Sequence, residues 1–179
     1  MKLSGIIIVA LGMVLAALPV AGRSSSQQDG KNKKGTGKSA GFILSEDATA
    51  EDVGLPLYPG SQRLKEKDES SAVQLGLWGH SGGFKLVVLK LESGDAPAKI
   101  AAFYRQALGK YGQVLDCSQP GAKPAKAGAD TLDCEDDQPV EGGFTLKAGT
   151  KEKQHVVGVE PKGGRSKIAL VYLENPNSK

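Results

Sequence analysis

The segment Phe84–Leu91 constrains the fold more than any other part of the sequence, because apolar residues occupy both of its alternating sets of positions. Successive side chains of a β-strand point to opposite faces of a sheet. The two sets are Phe84, Leu86 and Val88 against Val87, Leu89 and Leu91. A strand that is apolar on both faces must be covered on both sides. Ile168–Leu173 repeats this pattern and has the same requirement.

A β-hairpin contains this segment. Val73–Trp78 alternates between apolar and other residues, Gly79–Gly83 supplies the turn, and Phe84–Leu91 returns. Turn residues separate the later strand-like segments, which favours an antiparallel sheet. These segments are Gln113–Cys117, Phe144–Ala148, Gln154–Glu160 and Lys167–Glu174.

One long helix is predicted from about Ala96 to Tyr111, where apolar residues recur at helical spacing. Asp95 is the predicted N-cap, and Gly112 ends the helix. We therefore predict an α+β fold of two layers, in which an antiparallel β-sheet packs against one long helix. The predicted strand order along the chain is ββαβββββ, in which the remaining strand after the helix would be a short one through Cys134. A sandwich-like or barrel-like sheet is the alternative.

The N-terminal residues predict export. A positive residue precedes the uncharged apolar run Ile6–Leu18, and small residues follow, which is the pattern of a signal peptide at residues 1–22. The run is shorter than the ~20 residues that span a membrane, and a retained anchor is the alternative. Residues 23–40 are predicted to be a flexible basic linker, and residues 41–179 a single α+β domain. We expect a periplasmic or extracellular protein.

The basic linker at 23–40 also predicts weak contact with anionic polymers of the cell envelope, through an excess of lysine over acidic residues. A solvated spacer is the alternative interpretation. The sequence contains no motif that predicts a specific nucleic-acid partner.

The chain has two cysteines, Cys117 and Cys134. In an exported protein we expect them to form a disulfide. If they face each other across antiparallel strands, Asp116 lies opposite Glu135 and an acidic patch results. Because Ca²⁺ prefers several oxygen ligands, the candidate metal ligands are Asp116, Glu135 and Asp137. A solvated acidic edge that prevents strand pairing is the alternative.

A rigid strap is predicted before the hairpin. Thr49 and Asp52 have the spacing of a capping box, which would begin a short helical turn that ends at Gly54. In Leu55–Ser61, two prolines favour an extended backbone, and Pro59-Gly60 suits a type II turn.

Two motifs resemble a set of uncharacterised secreted bacterial proteins, which carry a Tyr-Pro-Gly strap and a helix containing Phe-Tyr. The motifs here are Gly54–Gly60 and the helical stretch Ala102–Leu108, followed by Tyr111-Gly112. The resemblance covers residues 53–117. It implies a bacterial export context, and it implies no catalytic residue.

Common catalytic motifs are missing from the sequence, including the Gly-x-Ser-x-Gly elbow, the His-Glu-x-x-His helix and the dinucleotide fingerprint. His80 is predicted to be a solvated loop residue and His155 a surface residue at the start of a strand. No cofactor is predicted. We expect a protein that is not an enzyme, with a hydrolase of envelope or extracellular polymer using acidic residues as the alternative.

The doubly apolar strands motivate the functional hypothesis. One helix covers one sheet face, so Trp78, Val87 and Leu89 on the second face need another cover, which is either the strap 42–61 or a partner. The partner would be a second copy in a homodimer, an envelope protein or an apolar ligand. We therefore expect an exported, non-catalytic binding module, with a Ca²⁺-binding domain as a further alternative.

Overall fold

A computed structural model of the chain describes residues 40–65, 70–79, 82–119, 122–124, 128, 130–135, 137–138 and 140–176. The predicted signal peptide, nearly all of the predicted linker and His80 lie outside these residues.

All of the described strands belong to one sheet. In chain order the elements are β1 (Gly41–Ser45), α1 (Ala50–Val53), β2 (Gln62–Arg63), β3 (Ala72–Gly79), β4 (Gly82–Ser93), α2 (Pro97–Leu108), the 3₁₀ turn Gly109–Tyr111, β5 (Leu115–Asp116), β6 (Phe144–Gly149), β7 (Lys153–Lys162) and β8 (Arg165–Glu174).

The eight described strands follow the spatial order β1-β3-β4-β8-β7-β6-β5, with β2 paired to β4 off this path. Every pairing is antiparallel. The prediction of the α+β class is therefore confirmed. The strand order along the chain is not the predicted ββαβββββ, because β1 overlaps the predicted strap 42–61, β2 follows it directly, and only four described strands follow α2.

Helix α2 lies within the predicted range and is shorter, since it ends at Leu108 and a 3₁₀ turn continues to Tyr111. Its N-cap is Ala96 and not Asp95. The Asp95 carboxylate instead accepts hydrogen bonds from Tyr58 Oη at 2.6 Å and Lys99 Nζ at 2.9 Å. This aspartate therefore fastens the strap to the first turn of the helix.

The predicted capping box is present. Asp52 N donates to Thr49 Oγ1, and the Asp52 carboxylate accepts from Thr49 N, so α1 begins at the predicted place. Gly54 ends it in the left-handed conformation with φ 76°. The short helix contacts β4 and β8, whereas α2 contacts β6 and β7.

Both covers therefore lie on the same face of the sheet, which we call the helix face. Its central side chains on β4 are Val87, Leu89 and Leu91, and each is at most 1% exposed. Burying such side chains contributes about 1.5–3 kcal/mol each. The helix-side partners in this core include Val53, Leu55, Ile100, Tyr104 and Leu108.

The opposite face we call the open face. Its side chains on β1, β3, β4 and β8 are mainly apolar, and the described chain buries none of them fully. They are Phe42, Leu44, Val73, Leu75, Leu77, Phe84, Leu86, Val88, Val171 and Leu173. At the β6 end, a small cluster around the disulfide covers this face, formed by Leu115, Cys117, Leu132 and Cys134. The open face is thus covered at one end and accessible at the other.

Candidate functional site

The open face presents apolar side chains on four neighbouring strands, and the described residues bury none of these side chains fully. Strand register places its side chains in three rows, since residues paired across antiparallel strands point to the same side. The rows are Phe42–Leu77–Phe84, Leu44–Leu75–Leu86–Leu173 and Val73–Val88–Val171. Exposure is greatest at the β1 end, where Phe42 is 60% and Leu44 64% exposed.

A charged row marks the border of this surface. Lys167 pairs in register with Glu92 on one side and Glu160 on the other. Glu92 also forms an ion pair with Arg165, at 3.3 Å between the carboxylate and Nε. Opposite charges on neighbouring strands favour a solvated border, so the apolar surface ends at this row.

The three candidate interaction residues do not form one surface. Val87 and Leu89 are fully buried on the helix face, under α1 and the strap, so this part of the sheet is covered by the chain itself. Trp78 lies on the same side but beyond the helices and is 44% exposed. Its indole lies against Gly41 of the neighbouring strand, where an added Cβ would overlap the ring. The accessible apolar surface is therefore on the opposite side of β4.

The predicted disulfide between Cys117 and Cys134 is present, with the two Cα atoms 5.3 Å apart. The predicted strand pairing around it is wrong. Cys117 N donates to Thr145 O at 2.7 Å, which makes β6 the neighbour, and residues 132–134 lie in no strand. The disulfide therefore holds a loop against β6 instead of joining two paired strands.

The three candidate metal ligands have separate surroundings. Asp116 accepts hydrogen bonds from Arg105 and from Ser118 N, and Asp137 forms an ion pair with Lys147 at 2.5 Å. Burial alone would raise the pKa of Asp116, but the hydrogen bonds from Ser118 and Arg105 outweigh it and lower that pKa. Glu135 is exposed.

Among the described residues, only one group places three potential ligand atoms within 4.8 Å of one another, and it comprises Cys117, Cys134 and Asp137. Both sulfurs of that group are in the disulfide and cannot act as thiolate ligands. The structure therefore does not assemble Asp116, Glu135 and Asp137 into a common carboxylate site.

His155 is buried, and the prediction that it is a surface residue is wrong. Its ring stacks on Tyr111 with 3.5 Å between centroids, and Tyr172 lies 5.0 Å away on a tilt. Burial, followed by the charge of Lys110, lowers the pKa of His155 to about 4. The imidazole is therefore neutral at physiological pH.

The His155 ring borders an open cleft of about 550 Å³, which Lys85 and Lys153 also line. Within the described part of the chain, Nδ1 is buried and has no hydrogen-bond partner. The geometry thus places the imidazole in a buried aromatic stack at the border of this cleft.

A simple pattern would have placed His155 correctly. It alternates with Val157 and Val159 along β7, and both valines are buried on the helix face. Since side chains two residues apart share a face, the alternation indicates an inward histidine.

No protein-family model, no curated protein and no solved structure matches this chain. None of the described helices is long and apolar enough to cross a membrane. The assignment of a site therefore depends on the geometry of the sheet, where the open face is the strongest candidate.

Proposed function

We propose that this protein is an exported, non-catalytic binding module that docks another protein surface on its open face. The observation that carries the proposal is the exposure of large apolar side chains in register on neighbouring strands, chiefly Phe42, Leu44 and Leu77. Contiguous apolar patches of several hundred Å² on soluble proteins mark interaction sites.

Export is supported by two features. The disulfide between Cys117 and Cys134 would be reduced in most cytoplasms and persists in oxidising compartments. The apolar run Ile6–Leu18 has the length and flanks of a signal peptide. The envelope of a bacterium, or the medium around it, is the compartment that fits both.

The state of the ionisable groups supports binding over catalysis. Asp116 and Asp137 are each held by a cationic side chain, and His155 is neutral and stacked. A hydrolase acting through acidic residues needs two carboxylates free to exchange protons across a cleft. A Ca²⁺ site needs several oxygens around one point. Neither requirement is supported by the contacts of these residues.

The test compares Leu86→Lys, in the centre of the open face, with Leu57→Lys, an exposed apolar residue of the strap. Binding of a hydrophobic dye is measured for both variants and the native protein. We expect the native protein and Leu57→Lys to bind the dye, and Leu86→Lys to lose most of that signal. Thermal unfolding confirms that each variant is folded.

A native protein that binds no dye and remains strictly monomeric by light scattering would contradict the proposal. That result would mean that parts of the chain itself cover the open face.

A further inference from the structure

The outer edge of β1 is a sheet edge that no described residue pairs with. Strand β1 is the first in the spatial order of the sheet, and the described chain places no strand on its outer side. Soluble proteins protect such edges with charged residues, proline, bulges or a covering segment. Gly41–Ser45 has the sequence Gly-Phe-Ile-Leu-Ser, which contains neither a charge nor a proline.

Exposure at this edge occurs on both sides of the sheet. Phe42 and Leu44 point to the open face and are 60% and 64% exposed, while Ile43 points to the helix side and is 46% exposed. A protein docked on the open face alone would leave Ile43 in water. A strand added alongside β1 would contact all three side chains and would also pair the free backbone groups.

We propose that β1 pairs with β1 of a second copy, antiparallel, with Ile43 opposite Ile43 of the second copy. This register places Phe42 opposite Leu44 and Gly41 opposite Ser45. Aromatic and branched side chains are favourable cross-strand partners, and no like charges oppose each other. In this register each apolar side chain therefore faces another apolar side chain.

Symmetry limits this association to two copies. Antiparallel pairing of identical edges uses the same surface on both partners, so one contact satisfies both. The opposite edge of the sheet is protected, since β5 has only two residues and the disulfide-bonded chain lies beside it. The pairing therefore gives a closed dimer and not a fibre.

The dimer contains one continuous sheet in which the two open faces lie side by side. This inference does not depend on the proposed docking function, because edge pairing leaves the rows on β3, β4 and β8 accessible. The two proposals are tested by different residues, Ile43 for the edge and Leu86 for the face.

The twofold register suggests a charge-complementation experiment. Ile43→Lys and Ile43→Glu are each purified after export from the expressing cells. The mass of each variant by itself, and of an equimolar mixture of the two, is measured by sedimentation equilibrium. Because position 43 opposes itself, each variant alone would place like charges together, and the mixture would place opposite charges together. Leu57→Lys and Leu57→Glu, at an exposed position away from β1, are the controls.

We expect the native protein and both Leu57 variants to dimerise. Each Ile43 variant alone should dimerise about tenfold more weakly or worse, and mixing the two should restore most of the affinity. A monomeric native protein at about 0.1 mM, a concentration that populates even weak dimers, would overturn the inference. So would Ile43 variants that dimerise like the native protein, or a mixture that gains nothing.

Dye binding to the open face distinguishes this failure from that of the proposed function. If the native protein is monomeric but binds the dye, and Leu86→Lys abolishes that binding, the dimer is ruled out while the proposed docking function is still supported.

Discussion

The two edges of the sheet differ in how well they are protected against pairing with another strand. At the β5 edge, the strand is two residues long, the Arg105–Asp116 ion pair lies beside it, and the disulfide holds a loop against β6. At the β1 edge, a five-residue strand exposes apolar side chains and carries no charge. Unpaired strand edges attract other strands, and of these two edges the β1 edge carries less protection within the described chain.

This difference indicates that one edge contributes to the stability of the fold and the other to association with another chain. Covalent and ionic contacts at the β5 edge constrain the chain and favour folding. No ion pair or disulfide among the described residues involves β1, and the described chain leaves its apolar side chains exposed. We therefore expect substitutions at the β5 edge to change the free energy of unfolding and those at the β1 edge to change association.

The largest effect is expected from removing the disulfide. Cys117→Ser with Cys134→Ser should lower the free energy of unfolding by about 3 kcal/mol, because the reduced chain no longer has a closed loop between these positions in its unfolded state. Urea unfolding measures the loss, and the native protein in reductant serves as the control. A loss below about 1 kcal/mol would show that the β5 edge does not depend on its crosslink.

The next effect concerns His155, which lies between the two edges. Its pKa in the folded state, about 4, is below the ordinary value of 6.5, so its contribution to stability is complete above pH 6.5 and is lost as the pH falls towards 4. Between pH 7 and pH 5 we expect a loss of about 1–2 kcal/mol.

His155→Phe keeps the stack on Tyr111 and removes the titrating group, so its stability should be nearly flat over this range. Urea unfolding at each pH provides the measurement. If the native protein is equally stable at pH 7 and pH 5, protonation of His155 does not change the free energy of unfolding, and the prediction is wrong.

A smaller effect is expected at the β1 edge. Gly41→Ala places a methyl group against the Trp78 indole, with Nε1 2.7 Å from the new Cβ, so the ring or the strand must move. We expect a loss of about 1 kcal/mol. The chain has one tryptophan, so its fluorescence emission should shift to longer wavelength as the ring becomes more exposed.

Gly94→Ala is the matched control, since no atom lies within 4 Å of the Cβ built there. An unchanged emission maximum in Gly41→Ala would mean that Trp78 is not fixed by β1.

The smallest effect is expected from Arg105→Gln. The two side chains of the Arg105–Asp116 pair are 41% and 40% exposed, so solvent screens the interaction and the loss should stay below about 1 kcal/mol. Chemical unfolding of Arg105→Gln and of Lys99→Gln, which removes another exposed ion pair, gives the comparison. A loss of several kcal/mol in Arg105→Gln alone would show that charge, and not the disulfide, stabilises the β5 edge.

Local patterns predicted the local elements. The capping box at Thr49 and Asp52, the hairpin of β3 and β4, the helix around Ile100 and Tyr104 and the disulfide all depend on residues close in sequence or on chemistry with one partner available. Each of these features is set by short-range sterics, periodicity or the oxidation of a single cysteine pair.

Long-range pairings were not predictable in the same way. Sequence periodicity shows that Val87 and Phe84 point to opposite sides of β4, but it does not say which side the helices occupy. The answer depends on where α1 and α2 pack, and both lie on the Val87 side. For this reason the accessible apolar surface lies on the other side from the residues that the sequence suggested.

Strands β1 and β2 were missed because both are short and sit among turn residues, where the neighbouring strand supplies most of the stabilisation. The reverse error occurred at residues 132–134. Their alternating pattern resembles a strand, but the disulfide and the Lys147 contacts with Asp133 O and Asp137 hold them as a loop.

The centre of the sheet has a consequence for biogenesis. Strand β4 pairs along most of its length with β8, the last of the described strands, so the middle of the sheet cannot close until the segment Arg165–Glu174 has been made. Contacts this distant in sequence form slowly. In the export proposed above, a chain that enters the membrane N-terminus first would therefore cross it before this central pairing forms.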